Sequence, residues 1–317
     1  MRCALVSAAL AATASAHGLV TRIQGANGVM MPGLSVADGT PRDCSSNGCG
    51  SQADTAIIRQ RDIRSGSASP LGRTQGNGPI DADVMVSSFM GGADAAKVPS
   101  NNGASGATGQ EDDLSELQKQ RQQRREEEKR QLGQLLGGGG KANGGGGLLG
   151  GLLGGAGGGA GAGKKNNAAP ESMVADTAGE GSSKGLPTAD ENGEVTMVFR
   201  QINQDGAGPL SASIDATSGG KDASAFQNAE VTQNVPGLGV GGLSLATNTD
   251  FPLKVKMPQG MTCEGKVGGA DNVCIVRVQN SAAAGPFGGS AAFTQTKAAR
   301  ARAIAYRLKK RMEISRD

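Results

Sequence analysis

Short runs in which apolar and polar residues alternate predict β-strands in two separate parts of the chain. The clearest run is EVTMVFRQIN at 194–203, where every second residue is apolar from Val195 to Phe199, as in a strand with one buried face. The other predicted strands lie in HGLVTRIQG at 17–25, FPLKVKMP at 251–258, NVCIVRVQN at 272–280 and GGSAAFTQ at 288–295. Several short strands separated by Gly- and Pro-containing turns are typical of a β-sandwich.

The two strand-rich parts are separated by a long stretch of different composition. Residues 111–132 are almost all charged or Gln, and residues 133–163 contain 18 glycines with a recurring Leu-Leu-Gly-Gly unit. Glycine loses the most conformational entropy on ordering, so we predict a flexible insertion. The predicted organisation is one mainly β fold built from 17–95 and 188–296, with an insertion at 96–187 and a basic helix at 297–317. Two half-domains that pack separately are the alternative.

The N-terminus predicts export. Residues 1–16, MRCALVSAALAATASA, have an early positive charge, an apolar stretch and a final Ala-Ser-Ala, the pattern of a secretory signal peptide cleaved after Ala16. A pair of basic residues, Lys129 and Arg130, precedes the Gly-rich tract and is a candidate site for proteolytic processing of an exported chain. We therefore expect an extracellular or cell-wall location.

The number of cysteines also indicates export. Cys3 leaves with the signal peptide, and an even number of four remains, which predicts two disulfides in an oxidising compartment. The spacing suggests the local pairs Cys44–Cys49 and Cys263–Cys274. Two other pairings are possible, and a zinc site of four cysteines is a further alternative, although these spacings fit zinc ribbons poorly.

Charge and composition exclude some functions. The net charge is +3, Trp is absent, Tyr occurs once and Phe six times. A dedicated nucleic-acid-binding protein would carry a basic domain with a folded reading motif, so we expect no nucleic-acid partner. No apolar run approaches the roughly 20 residues of a membrane span, so we expect no transmembrane segment. The basic helix predicted at 297–317 is either solvated or in contact with an anionic surface.

One residue carries most of the candidate chemistry. His17 is the single histidine, and cleavage of the signal peptide would make it the first residue of the mature protein. An N-terminal histidine offers its α-amine and its ring Nδ1 to one metal ion, and copper favours such nitrogen ligands. The alternative is that His17 starts a strand without binding a metal. The paired carboxylates of the chain lie in polar turns, with no sign of a cleft that would tune them as an acid/base pair.

Three stretches together resemble a known family: HGLVTRIQGANGVMMPGLSVADGTPRDC, FRQINQDGAGPL and QGMTCEGKVGGADNVCIVRVQNSAAAGPFGGSAAFTQ. They are similar to the appressorium-specific (Mas-type, Egh-like or Gas-type) secreted virulence proteins of plant-pathogenic fungi. The resemblance covers nearly all of the chain outside the charged and Gly-rich insertion. It implies an extracellular protein made while the fungus builds its penetration structure, and it leaves the biochemical activity open.

A looser resemblance concerns the fold. The predicted histidine start and the CIVRVQN…GPFGGSAAF strands are similar to copper polysaccharide monooxygenases and their non-catalytic copper-binding relatives. This resemblance implies an immunoglobulin-like β-sandwich with the terminal histidine on a flat face. Where the enzymes have a second histidine before a Gly-Pro pair, this chain has Asp205. Phe287 takes the place of the aromatic residue beside the metal.

Two main hypotheses follow. The first is a secreted, non-catalytic interaction protein at the cell wall or host interface, bound to chitin, plant wall polysaccharide or a host surface, with no cofactor. The second is a copper-binding protein or copper-dependent monooxygenase that uses His17, Asp205 and Phe287. Carboxylate holds Cu(I) poorly, so the missing second imidazole should harm redox catalysis more than metal capture. A surface adhesin that works through the Leu-Leu-Gly-Gly tract and the basic C-terminal helix is a third hypothesis.

Overall fold

In the computed structural model, residues 17–92, 98–101, 163–165, 169–204, 206–237, 244, 246–282 and 285–314 are described. Within these ranges the chain forms thirteen β-strands and five α-helices. The strands are β1 Gly18–Gln24, β2 Met30–Pro32, β3 Ala56–Ile57, β4 Arg73–Thr74, β5 Gly78–Pro79, β6 Lys164–Lys165, β7 Glu194–Gln201, β8 Ser211–Asp215, β9 Phe226–Gln233, β10 Thr249–Lys256, β11 Gly265–Val267, β12 Ala270–Gln279 and β13 Phe287–Phe293. The helices are α1 Gln60–Ser65, α2 Ala82–Phe89, α3 Met173–Asp176, α4 Gly181–Lys184 and α5 Lys297–Ile314. This composition confirms the prediction of a mainly β fold with a C-terminal helix.

The strands form one continuous antiparallel sheet that folds back on itself. Its order is β2-β1-β7-β10-β9-β8-β12-β13-β3-β4-β5, with β11 beside β12 and β6 beside β10. Strand β9 pairs with β10 on one side and with β8 on the other, so it joins two layers. The layers meet where β1 packs across β13 without pairing to it. Residues from the two ends of the chain therefore share one core.

The alternation of apolar and polar residues in the sequence corresponds to the burial of side chains in the strands. In β7, Val195, Met197 and Phe199 are buried, and the next residues Arg200 and Gln201 are buried as well. In β10 every second side chain is buried along the whole strand. In β1 the register shifts between Val20 and Arg22. This β-bulge accompanies the burial of the two consecutive apolar residues before it, because a bulge breaks the strict alternation of faces.

Gly289 shows how closely the two layers approach. A Cβ atom at this position of β13 would lie 2.6 Å from the backbone nitrogen of Val20 in β1. Any side chain would therefore push the layers apart, and only glycine permits this packing.

Two disulfides pair the remaining cysteines locally, as the spacing suggests. Cys44 is bonded to Cys49, and Cys263 is bonded to Cys274. The second pair is fully buried and links the approach to β11 with β12. A cross-link of this kind restricts the unfolded chain and stabilises the fold by about 2–4 kcal/mol.

A buried ion pair joins segments that are distant in the sequence. Arg42 is 3% exposed and Asp54 is fully buried, and two hydrogen bonds of 3.1 and 2.6 Å connect the guanidinium to the carboxylate. Glu171 accepts a third hydrogen bond from Arg42 Nε at 3.0 Å. Burial alone would lower the pKa of Arg42, but Asp54 and Glu171 outweigh burial and raise it above its usual range. The guanidinium therefore stays charged inside the protein.

The buried charged cluster around Arg42 also contacts the β-sheet. Arg200 of β7 is 1% exposed, and it donates to the backbone carbonyl of Arg42 and, at 3.2 Å, to Asp250 of β10. Burial lowers the pKa of Arg200, and the Asp250 carboxylate opposes this shift. The cluster thus holds the loop around Arg42, the segment that contains Glu171 and two central strands together.

The segment 169–187 belongs to this body. Asp38 accepts hydrogen bonds from the backbone N–H groups of Val174 and Ala175 at 3.0 and 2.8 Å, at the start of α3. Val174 and Leu186 are buried in the main core. These residues lay within the insertion predicted from composition, and their helices pack against the N-terminal part of the chain. The pair Lys129 and Arg130 lies outside the described residues.

We predict that Asp54→Asn lowers the free energy of unfolding by about 3–5 kcal/mol, because it leaves the buried Arg42 charge without its partner. Urea unfolding followed by circular dichroism would measure the loss. Asp271→Asn is the matched control, because Asp271 forms an exposed pair with Lys266 at 3.4 Å; we expect a change within about 0.5 kcal/mol there. Equal effects of the two substitutions would contradict a central role for the buried pair.

Candidate functional site around His17

His17 lies immediately before β1, where three strands of the fold come together. Its backbone carbonyl accepts a hydrogen bond of 3.0 Å from the N–H of Ile202, directly after β7. Its ring lies 4.6 Å from the ring of Phe287, centroid to centroid, at an angle of 33°. Phe287 begins β13 and is fully buried, as is His17. The fold therefore brings together two of the three residues that were predicted to form a metal site.

Asn203 binds both nitrogen atoms of His17 that could chelate a metal. The backbone nitrogen of His17 donates to Asn203 Oδ1 at 2.9 Å, and Asn203 Nδ2 lies 3.1 Å from His17 Nδ1. Because the backbone N–H is a donor, Oδ1 must face it, and the NH₂ group then faces the ring. Nδ1 is accordingly the acceptor, and the proton of the neutral imidazole is on Nε2.

A tight turn after β7 brings Asn203 to His17. The N–H of Gly206 donates to the carbonyl of Asn203 at 3.0 Å and closes the turn. A Cβ atom on Gly206 would lie 1.8 Å from the carbonyl oxygen of His17, so only glycine allows this approach. Asp205, the predicted second ligand, precedes Gly206 in the sequence and lies outside the described residues.

The side chain of Gln201, at the end of β7, also holds this turn in place. Its side-chain Nε2 donates to the carbonyls of Asn203 and Ala246, at 3.0 and 2.8 Å, and lies 2.8 Å from Ser244 Oγ. Its Oε1 is buried and has no hydrogen-bond partner among the described atoms. Gln201 therefore connects the turn at Asn203 to the loop that precedes β10.

The described residues around His17 offer few potential metal ligands. Within the described part of the chain, no group of three or more His, Cys, Asp or Glu residues is placed to hold a metal ion. The nitrogen donors at this position are the backbone nitrogen and Nδ1 of His17, and Asn203 adds a neutral oxygen. A second imidazole does not exist in the chain, and stable Cu(I) needs softer ligands than amide or carboxylate oxygen.

Asn203 was missed in the sequence analysis. It lies in the FRQINQDGAGPL stretch that carried the family resemblance, two residues before Asp205. The available signal was a short amide side chain directly after a strand and before a glycine turn, a common position for side chains that bond to backbone groups.

The described residues contain no helix that is long and apolar enough to pass through a lipid bilayer.

We predict that Asn203→Ala lowers the free energy of unfolding by about 1–3 kcal/mol, because two buried polar atoms of His17 lose their partner. Asn203→Asp should lose more stability at pH 8 than at pH 5, since a carboxylate beside Nδ1 favours the protonated imidazole. Urea unfolding at both pH values would measure this. Asn228→Ala, on the exposed side of β9, is the control. An unchanged Asn203→Ala protein would show that the His17 contacts are not stabilising.

Comparison with known proteins places the chain among fungal virulence factors. It is 49% identical over 307 residues to the appressoria-specific virulence factor GAS2 of Pyricularia oryzae, and the alignment covers 97% of this chain and 93% of that protein. The appressoria-specific virulence factor GAS1 of the same fungus is 38% identical over 144 residues, which are 44% of this chain and 55% of that protein. No solved structure matches the chain.

The family that the sequence resemblance predicted is confirmed by these relatives and by a match to the Egh16-like virulence factor family over residues 15–288. The matched range includes His17, Asn203 and Phe287, which the structure brings together. The chain therefore belongs to the Egh16-like virulence factor family.

Proposed function

We propose that this protein is a secreted virulence factor of the fungal penetration stage, and that it acts by binding hydrated cell-wall polysaccharide without catalysis. The relatives are named as appressoria-specific virulence factors, which supports the stage and the role. The observation that carries the binding activity is a surface pocket beside β9 whose lining combines apolar and hydrogen-bonding side chains. The geometry of His17 supports the absence of catalysis.

The pocket has the chemistry of a sugar-binding surface. Its volume is about 270 Å³, close to the lower end of the range of small-molecule sites, roughly 300–1,000 Å³. Amide, hydroxyl and carboxylate groups that can hydrogen-bond to sugar hydroxyls line it: Thr217, Gln227, Gln259, Thr262 and Glu264. The hydroxyl of Thr262 donates to Glu264 at 2.6 Å and lowers the pKa of Glu264. Glu264 therefore remains an ionised acceptor at neutral pH.

The aromatic residues favour a hydrated polymer over a crystalline one. Crystalline polysaccharide surfaces are gripped by flat, exposed rings. Five of the six Phe side chains are buried, and the sixth, Phe226, carries the guanidinium of Arg277 over its ring at 4.2 Å. The single Tyr, Tyr306, is 41% exposed, and one ring is too little to form a flat aromatic surface. Hydrogen bonds from the pocket would therefore supply most of the affinity, which suits a swollen, solvated polymer.

The contacts of His17 support a non-catalytic role. Both of its candidate ligand atoms are bonded to Asn203, and the ring is covered by Phe287. The four cysteines of the predicted mature chain are in disulfides, so they do not provide a nucleophile. Binding by the exposed surface requires none of these groups.

We predict that the protein is retained by amorphous chitin or by plant wall polysaccharide, and that Gln227→Ala weakens this retention about fivefold, as expected for one lost hydrogen bond of about 1 kcal/mol. Sedimentation of the protein with each insoluble polymer would measure it. Asn228→Ala is the matched control, because Asn228 is the next residue of β9 and does not line the pocket. Equal retention of both variants, or no retention of the wild type, would refute the proposal.

Copper binding at His17 is a second candidate function. The observation that favours it is that the backbone nitrogen and Nδ1 both lie within 3.1 Å of one side-chain amide, so the two nitrogens converge as a chelate requires. Cleavage after Ala16 would convert the backbone nitrogen to a free amine. Binding of Cu(II) would displace the Asn203 NH₂ group from Nδ1 and leave the amide oxygen near the ion.

If this second function holds, the mature protein binds Cu(II), His17→Ala abolishes binding, and Asn203→Asp strengthens it about tenfold because a carboxylate replaces a neutral amide. Isothermal titration with Cu(II), together with N-terminal sequencing of the same sample, would test this. A protein that begins at His17 and binds Cu(II) no better than its His17→Ala variant would exclude copper capture at this site.

A further inference from the structure

The C-terminal helix α5 is attached to the body along one side only. Ala299 is buried and Ala303 is half-buried, four residues further on. Three arginines on this helix donate to the body: Arg300 to Asn272 Oδ1 at 2.9 Å, Arg302 to the carbonyl of Glu191 at 2.7 Å, and Arg307 to Thr262 Oγ1 at 3.0 Å. Small side chains and arginine side chains thus form much of the attachment, and the ring of Tyr306 lies beside Gly260.

Three of the large apolar side chains of α5, Ile304, Leu308 and Met312, lie on the opposite side. Ile304 and Leu308 are 38% and 54% exposed, and Ala301 and Ala305 share their face by the helical period of 3.6 residues. Ala301 is two positions from both Ala299 and Ala303, a spacing that puts residues on nearly opposite faces. Met312, 59% exposed, continues the same stripe. A surface helix normally turns such an apolar stripe toward the core. In α5 the stripe faces away from the core instead.

Positive charge flanks the apolar stripe. Residues 297–314 contain seven Lys or Arg residues and one Glu. The helical period places Lys309 on one flank of the stripe and Arg311 on the other. The acidic partners are few and distant, since Lys309 lies 3.9 Å from Glu313 and Arg307 lies 3.7 Å from Glu264. The outward face of α5 is therefore apolar along its centre and cationic along its edges.

We propose that α5 binds an anionic lipid bilayer, lying in the plane of the interface with Ile304 and Leu308 inserted. A bilayer offers apolar chains beneath a layer of negative phosphate and carboxylate groups, which matches the stripe and its flanks. Since the other side of α5 is attached to the body, a flat surface can reach its open face, whereas a partner that encloses the helix cannot. Arg307 of α5 lines the proposed polysaccharide pocket from the attached side of the helix, whereas the proposed lipid-binding face is the outward side, so lipid binding does not require the pocket.

The test is co-sedimentation of the full-length protein with vesicles of phosphatidylcholine alone and with equimolar phosphatidylserine. We expect binding to the anionic vesicles that weakens as salt is raised. Ile304→Ser/Leu308→Ser should lower the partition coefficient at least about tenfold. Lys309→Gln/Arg311→Gln should lower it at least about fivefold for each charge removed.

Two variants serve as matched controls away from α5. Met30→Ser removes an apolar side chain of β2 that is 44% exposed, and Lys266→Gln removes an exposed charge of β11. Both should bind vesicles like the wild type. Because all these side chains are exposed, the unfolding temperature should change little in every variant, which separates loss of binding from loss of folding.

Three outcomes would overturn the proposal. The first is absence of binding to the anionic vesicles. The second is full binding by Ile304→Ser/Leu308→Ser, because adsorption would then rest on charge alone. The third is self-association in sedimentation equilibrium that this double variant abolishes, without vesicle binding, because the stripe would then be covered by a second copy of the chain.

Discussion

Arg42, buried between Asp54 and Glu171, connects parts of the chain that are distant in the sequence. A charge in the interior is tolerated only when its partners satisfy it with good geometry. Here the loop before β3, the segment before α3 and, through Arg200, strands β7 and β10 each supply one part of that geometry. The cluster therefore specifies the arrangement of these segments as well as contributing to stability.

Close backbone approach is the second constraint. The two layers press together at Gly289, and the turn at Gly206 presses against His17. As a consequence His17, Asn203 and Phe287 share one small volume, and the polar atoms of His17 must find partners inside it. Asn203 satisfies them with a single amide. Such an arrangement stabilises the N-terminal strand in its place, and it also leaves two nitrogen donors pointing at one position. These contacts hold the start of β1 against the turn that follows β7.

The outer surface divides into two regions of different chemistry. The pocket beside β9 is lined by hydrogen-bonding groups, the charged side chains Glu264 and Arg307, and several apolar residues. The outward face of α5 combines apolar side chains with positive charge, which suits lipid. Arg307 reaches both regions, since it lines the pocket and donates to Thr262. A protein at the boundary between a cell wall and a membrane would use both surfaces, and neither needs a catalytic centre.

The sequence by itself determined the strands whose alternation is strong, such as β7 and β10, because one buried face imposes a period of two residues. It also indicated the family and the two local cysteine pairs, which the structure selected from the three possible pairings. It did not reveal that Arg200 is buried, that Asn203 contacts His17 across 186 positions of sequence, or that the apolar stripe of α5 faces away from the body. These features were decided by the tertiary structure, because each depends on which distant segments become neighbours, and local periodicity carries no information about that.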